Sequence, residues 1–205
     1  MPQQFSLTSF RTEPSSSTTR TTDSRKNAKG FTIIELLIVL TVSAIISSFA
    51  VIKVTNALQS YRAMSSARML AAELALAKMR AANAFTQTRL NCTTTTGSCQ
   101  IEICTTKSGS TCNTFTAEGS PIFLQEGTTF GFGNVTTPAG TQTTIANSNQ
   151  VLFNSRGVPV NNTGAPTGNY ALYMTNQQGD KYAVTVYATG RVAAWQYAGG
   201  GWSIQ

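Results

Sequence analysis

The stretch KNAKGFTIIELLIVLTV, residues 26–42, sets the strongest limit on what this chain can become. A basic, polar leader gives way at Phe31 to an apolar run that reaches Ile52, interrupted only by Glu35 and a few Thr and Ser. Wound as an α-helix that run is about 33 Å long, enough to cross a ~30 Å hydrocarbon core. Arg25, Lys26 and Lys29 stand just before it. Basic residues flanking a span stay in the cytoplasm, so the chain after Lys53 is sent across the membrane. Residues 1–30 are rich in Ser, Thr, Gln and Arg and lack an apolar stretch of their own. They do not make an ordinary secretory signal peptide and read as a disordered cytoplasmic tail.

The helix is expected to run past the membrane, because no proline occurs between Phe31 and Ser120 and residues 54–82 are dominated by Ala, Leu, Met, Arg and Lys. At 100° per residue, roughly the angle of an α-helix, Ala63, Ala67, Leu70, Leu74, Ala77 and Ala81 form one apolar stripe. Val54, Leu58, Tyr61, Ala72, Leu76 and Met79 form a second on nearly the opposite side. A helix with two apolar stripes needs two partners. The residues that follow suffice to cover one stripe, which leaves the second to face other subunits.

Beyond Asn83 the pattern changes to short β-type runs separated by Gly, Asn, Pro and Thr. Strands are predicted over 86–92, 99–105, 121–125, 128–132, 150–154, 170–175, 181–188 and 191–197. The turns QQGD and ATGR make the last three an antiparallel meander, whose alternate residues Tyr182, Val184 and Val186 face the helix. Segments 106–120 and 133–149, rich in Thr, Ser and Gly, are expected to be exposed loops, and AGGGW a flexible tail. The fold class expected is therefore α+β, a long N-terminal helix packed on a mainly antiparallel sheet.

The formal charge of +7 is unevenly placed. Residues 84–205 hold Arg89, Lys107, Arg156, Lys181 and Arg191 against Glu102, Glu118, Glu126 and Asp180, so this part is close to neutral and not a strongly basic surface. The chain has no histidine, and Asp180 is its only aspartate beyond Asp23. That removes His-based triads and the commonest general base, and no acid, base and nucleophile set can be named. No cofactor and no metal site is expected. Cys92, Cys99, Cys104 and Cys112 lack the paired close spacing of a zinc site, so disulfides in an oxidising compartment are the better account. Cys92 to Cys99 and Cys104 to Cys112 is the local solution among the three connectivities that four cysteines allow.

The string K-G-F-T-I-I-E-L-L-I-V-L resembles the signal of type IV pilins and type II secretion pseudopilins, with Gly30, then Phe31, then a helix carrying glutamate at the fifth position after the glycine, Glu35. The resemblance covers residue 26 to about 53, and the long helix extends it to about residue 83. It implies that a membrane prepilin peptidase cuts after Gly30 and N-methylates Phe31, and that Glu35 meets the N-terminal amine of a neighbouring subunit during assembly. The plainer reading is that Glu35 snorkels to the interface. VLFNSRGVPV and the terminal YALYMTNQQGDKYAVTVYATGRVAAW look like the GspH/FimT group of minor pseudopilins and minor pilins, through Phe153 with Gly157 and through Gly190, Arg191 and Val192.

On this reading residues 1–30 are a removed leader, 31–53 the transmembrane half of the helix, 54–83 its periplasmic amphipathic half and 84–205 a β-rich periplasmic domain. The expected role is that of a minor subunit, not an enzyme, which initiates or caps a pseudopilus or pilus. Its partners would be other pilin or pseudopilin subunits, the peptidase and the inner-membrane assembly platform. One alternative is a DNA-binding minor pilin of natural competence, with Arg191, Lys181 and Arg156 as contacts. The near-neutral domain favours reading Arg191 as a strand-end arginine in a turn. The other alternative is a major type IV pilin, against which stands the absence of a carboxyl-terminal cysteine pair.

Overall fold

Among the described residues one helix, α1 (Ile33–Asn83), supplies 51 residues. In the computed structural model residues 30–109, 111–168 and 170–205 are described. The chain divides into two compact units, Met1–Ile45 and Ile46–Gln205. In the first, the described residues 30–45 are all exposed, and α1 is long and apolar enough to cross a membrane. Arg25, Lys26 and Lys29 lie outside the described residues.

The helix ends without glycine or proline. The amide of Phe85 donates to Ala82 O and that of Thr86 to Ala81 O, the paired bonds of a Schellman cap. Phe85 occupies the left-handed position with φ 49°, where glycine is the usual residue.

In the second unit, the strands are β1 (Thr88–Thr93), β2 (Ser98–Ser108), β3 (Thr111–Phe123), β4 (Thr128–Phe130), β5 (Gln150–Phe153), β6 (Pro159–Val160), β7 (Tyr170–Asn176), β8 (Lys181–Val186), β9 (Val192–Ala198) and β10 (Gly201–Ile204). They form two antiparallel sheets, ordered β3-β2-β1-β5-β6 and β10-β9-β8-β7-β4. Both pack on one stripe of α1. Ala63, Ala67, Leu70, Leu74, Ala77 and Ala81 are fully buried and share a core with Leu90, Ile101, Val151, Phe153, Leu172, Met174, Tyr182, Val184 and Val186. Burying Leu70 and Leu74 contributes about 1.5–3 kcal/mol each. The period-two alternation of Tyr182, Val184 and Val186 places all three on the helix side, and the meander β7-β8-β9 has the pairing its turns predict.

Four loops use one design. In 155–157, 162–164, 177–179 and 188–190 the third residue is a glycine whose amide donates back to the residue before the loop. Their φ values lie between 72° and 83°, the left-handed region in which a Cβ is strained. Asn154, Asn161 and Asn176 open three of them and hold the turn with their side-chain oxygens.

Two segments differ from expectation. Residues 106–120 are mostly strand, because β2 and β3 pair as far as Ser108 and Thr111. Threonine has high β propensity, so the Thr-rich composition that looked like a loop builds an extended hairpin. Residues 133–149 lack strand and are mostly exposed, as expected of a loop, but they are held down on a sheet. Sheet β10-β9-β8-β7-β4 has a second apolar face, Ala171, Tyr173 and Ala183, onto which Ala139 and Ile145 pack. The segment is fastened there: the Ala139 amide donates to Tyr173 Oη at 3.1 Å, Trp202 Nε1 to Thr137 O at 2.8 Å and the Tyr173 amide to Asn147 Oδ1 at 2.5 Å. AGGGW is likewise not a loose tail, since Gly199 and Gly200 turn the chain and Gly201 opens β10.

Candidate assembly surfaces

The N-terminal surface begins at Gly30, which is exposed and has nothing within 4 Å of an added Cβ. Gly30, Phe31 and Thr32 precede the helix, and Phe31 is 79% exposed. Thr32 caps α1: its Oγ1 accepts the Glu35 amide at 3.2 Å, and its carbonyl accepts the Leu36 amide at 3.1 Å. Thr32 and Glu35 thus stand in the T-x-x-E order of a capping box. The helix start is thereby fixed at Ile33, and Glu35 sits in the first turn, where the helix dipole favours a negative charge. The Gly30–Phe31 bond is left in open, non-helical chain. Among the described residues no ion pair engages the Glu35 carboxylate.

Within the second unit, the other stripe of α1 is uncovered. Val54 is 64% exposed, Leu58 45%, Tyr61 67%, Leu76 39% and Met79 60%. Five large apolar side chains on one helix face are more than scattered surface residues, and such a patch marks an interaction surface. Asp180 anchors the turn between β7 and β8 against the same helix. Its carboxylate accepts Ser60 Oγ in a short bond and Asn176 Nδ2 at 2.9 Å, and Tyr182 Oη donates to Ser60 O at 3.3 Å.

Of the three basic candidates, Arg156 and Arg191 lie in loops that touch, while Lys181 stands at the far end of β8. Arg156 lies in the loop beside Gly157, and Arg191 follows Gly190, its guanidinium 5.6 Å from the Tyr187 ring centre. Gly157 and Gly190 touch: a Cβ on Gly190 would come within 2.4 Å of Gly157 O. Lys181 opens β8, the strand whose other end leads into the Gly190 turn, and its Nζ lies 5.7 Å from the Tyr197 ring centre. The residue that does join the glycine contact is Lys78, which sequence reasoning passed over. Its Nζ donates to Gly190 O at 3.1 Å, and its stem fills the space where a Gly157 Cβ would sit. The available signal was position: a lysine beside buried Ala77 must extend along the core edge to reach a carbonyl.

The cysteines are bridged as Cys92–Cys99 and Cys104–Cys112. The first bridge joins directly paired residues of β1 and β2 and is buried in the core. The second closes the protruding end of the β2-β3 hairpin. Burial raises the pKa of Tyr170, Tyr173 and Tyr182, and for Tyr182 the nearby negative Asp180 adds to the rise. Among the described residues no group of three or more His, Cys, Asp or Glu is placed to hold a metal ion.

Residues 25–51 match the family described as Prokaryotic N-terminal methylation motif. The match spans the leader junction, Gly30, Phe31, Glu35 and the apolar segment, and stops within α1. No curated protein matches the chain. Two solved structures of the minor pseudopilin EpsH from the type II secretion system of Vibrio cholerae are similar to it. One has 15% identity and a TM-score of 0.44, with 68% of this chain and 99% of that chain covered. The other has 14% identity and a TM-score of 0.44, with 67% and 94% covered.

Proposed function

We propose that this chain, which carries the prokaryotic N-terminal methylation motif over residues 25–51, is the precursor of a minor pilin or pseudopilin. It is a structural subunit that initiates or caps a type II secretion pseudopilus or a type IV pilus. The observation that carries the reading is the motif itself, with Gly30 and Phe31 outside the helix and Glu35 in its first turn. In this scheme residues 1–30 are a cytoplasmic leader, a prepilin peptidase cuts after Gly30 and methylates Phe31, and residues 31–53 hold the subunit in the inner membrane. Residues 54–83 and 84–205 then lie in the periplasm, an oxidising space that suits two disulfides.

Cleavage gives Glu35 its purpose. It creates a positive α-amino group at the start of a membrane helix, and a lone carboxylate in that helix costs about 3 kcal/mol at the bilayer centre and less near the interface. Pairing the amine of one subunit with Glu35 of the next relieves both charges and fixes the register of addition. The uncovered stripe from Val54 to Met79 supports the same role, since it offers the apolar face that a subunit in a helical bundle buries against its neighbours. The assembly platform in the inner membrane is the remaining partner.

The test is co-expression of the full chain with an active prepilin peptidase, read by intact mass and N-terminal analysis. The expected product begins at N-methylated Phe31. A chain that keeps residues 1–30 beside an active peptidase overturns the processing step. Glu35→Leu is expected to be cleaved normally but to fail incorporation into filaments, and unchanged incorporation removes the pairing role.

A further inference from the structure

Residues 54–83 of α1 carry five charged side chains: Arg62, Arg68, Glu73, Lys78 and Arg80. Three are held by the chain's own sheets. Arg62 pairs with Glu126 at 3.3 Å, Arg80 with Glu118 at 3.4 Å, and Lys78 Nζ donates to Gly190 O at 3.1 Å. Arg68, which is exposed, and Glu73, which is half-buried, make no ion pair among the described residues. This part of the helix is left with one unused cation and one unused anion.

The two flank the bare stripe. They stand five residues apart, about 140° around a helix of 3.6 residues per turn, and the exposed Val54, Leu58, Tyr61, Leu76 and Met79 all fall in the arc between them. Lettered as a heptad, Leu58, Ser65, Ala72 and Met79 take d, and Met69 and Leu76 take a. Arg62, the a residue between Leu58 and Ser65, is drawn aside to Glu126. Arg68 is then a g position and Glu73 the e of the following heptad. A g residue meets the e residue five further along a partner when two such helices run parallel and in register, and pairs at these positions set partner and orientation. Antiparallel helices set g against g and e against e, which leaves Arg68 without Glu73 opposite. The sheets pack on the other face of α1 and do not stand between two helices joined this way.

We propose that the bare stripe is covered by a second copy of this chain: two α1 helices lie parallel and in register through residues 58–79, with Arg68 of each copy paired to Glu73 of the other on both sides of the seam. The parallel arrangement rests on the pilin reading, in which both copies enter the membrane from the same side by residues 31–53. Apolar side chains supply the attraction. Closing the seam draws Arg68 and Glu73 out of water, and a charge enclosed without a partner is costly, so the two pairs select the in-register alignment over shifted ones. The contact is a closed two-fold one, distinct from the open, head-to-tail contacts of a filament. It belongs to copies held in the membrane before assembly.

The experiment places Ala72→Cys in the full chain, in bacterial membranes with an active prepilin peptidase, and measures disulfide-linked dimer after mild oxidation. The four native cysteines are already bridged, so the added thiol is the one free to react. Ala72→Cys, at the seam, is expected to cross-link at least about fivefold more than Ala75→Cys, which is exposed but at a g position. Within the Ala72→Cys chain, Arg68→Glu or Glu73→Arg alone turns both pairs into like-charge contacts and should cut the yield at least about fivefold. The two together restore the pairs with signs exchanged and should recover the yield. Should a single variant fold poorly, the double still decides, because recovery in a chain holding both substitutions requires that the two residues meet. Intact mass on the same membranes reports cleavage before Phe31. Processed chains that fail to cross-link overturn the dimer and leave the pilin reading standing, and unprocessed chains that cross-link do the reverse. Equal yields from Ala72→Cys and Ala75→Cys, single reversals without effect, or a double variant no better than the singles would each overturn the proposal.

Discussion

Gly190→Ala tests the contact between the loops 155–157 and 188–190. The position has φ 76°, so a Cβ there costs about 1 kcal/mol in backbone strain alone. That Cβ would also lie 2.4 Å from Gly157 O and 3.2 Å from Lys78 Nζ. Gly157 O is backbone and cannot swing aside, so the loop 188–190 must separate from the loop 155–157. The separation stretches the bond from Lys78 Nζ to Gly190 O, now 3.1 Å, a charge-assisted bond worth about 1.5–3 kcal/mol. The expected total is about 2.5–4 kcal/mol. Gly179→Ala is the control, because it ends a loop of the same design at φ 83° with nothing within 4 Å of its Cβ. It should lose only the strain, about 1 kcal/mol. Measured by thermal melting and urea titration of the full chain in detergent, the two variants should differ by roughly 3–12 °C. Lys78→Met should cost less in the Gly190→Ala background than alone. Equal losses for the two glycine variants would show that conformation, not contact, decides both sites, and would refute the argument.

Asp180→Ala removes the acceptor for Ser60 and for Asn176 Nδ2 and should lower stability by about 2 kcal/mol, read by the same melts. A loss under about 0.5 kcal/mol, the level of an ordinary surface change, would mean that the β7-β8 turn is not anchored through this carboxylate. High pH should destabilise the fold. The raised pKa values of Tyr170, Tyr173 and Tyr182 mean that the folded state holds these protons more tightly. Their contribution is therefore intact below pH 10, about the unfolded value, and is lost as pH rises through the folded values. Phenolate absorbance from buried tyrosines should appear with unfolding, and its full appearance near pH 10 in the folded protein would contradict this. Replacing Cys92 and Cys99 by Ala should cost about 2–5 kcal/mol, because the bridge lies in the core. Removing the Cys104–Cys112 bridge should cost less in melts yet open residues 105–112 to limited proteolysis, since residues 105–109 are exposed. The reverse order of losses would sink the distinction.

The glycine seam also shows where sequence reasoning reached and where it stopped. ATGR is legible as a turn, from a glycine placed where the chain must reverse, while NSRG is singled out only through Phe153 and Gly157 and not as a turn. That the two turns press against each other is a fact of tertiary structure, since Gly157 belongs to one sheet's hairpin and Gly190 to the other's. Lys78 could be placed near the core edge from its neighbour Ala77, but its partner lies 112 residues away. The Thr-rich segment 106–120 misled because threonine suits both loops and strands, and a partner strand decides between them.

By itself the sequence determined everything that depends on local period and on chemistry carried within one segment. An apolar run interrupted only by Glu35 and a few Thr and Ser set a helix long enough to cross a bilayer, and spacing of three and four residues separated the two stripes of its continuation. Alternation fixed which residues of β8 face inward. Only the tertiary structure decided what covers each apolar face. It gave the stripe from Ala63 to Ala81 two sheets and left the stripe from Val54 to Met79 bare. It also laid residues 133–149 over Tyr173. Coverage is a competition among distant segments for the same surface, and no local pattern records which of them wins.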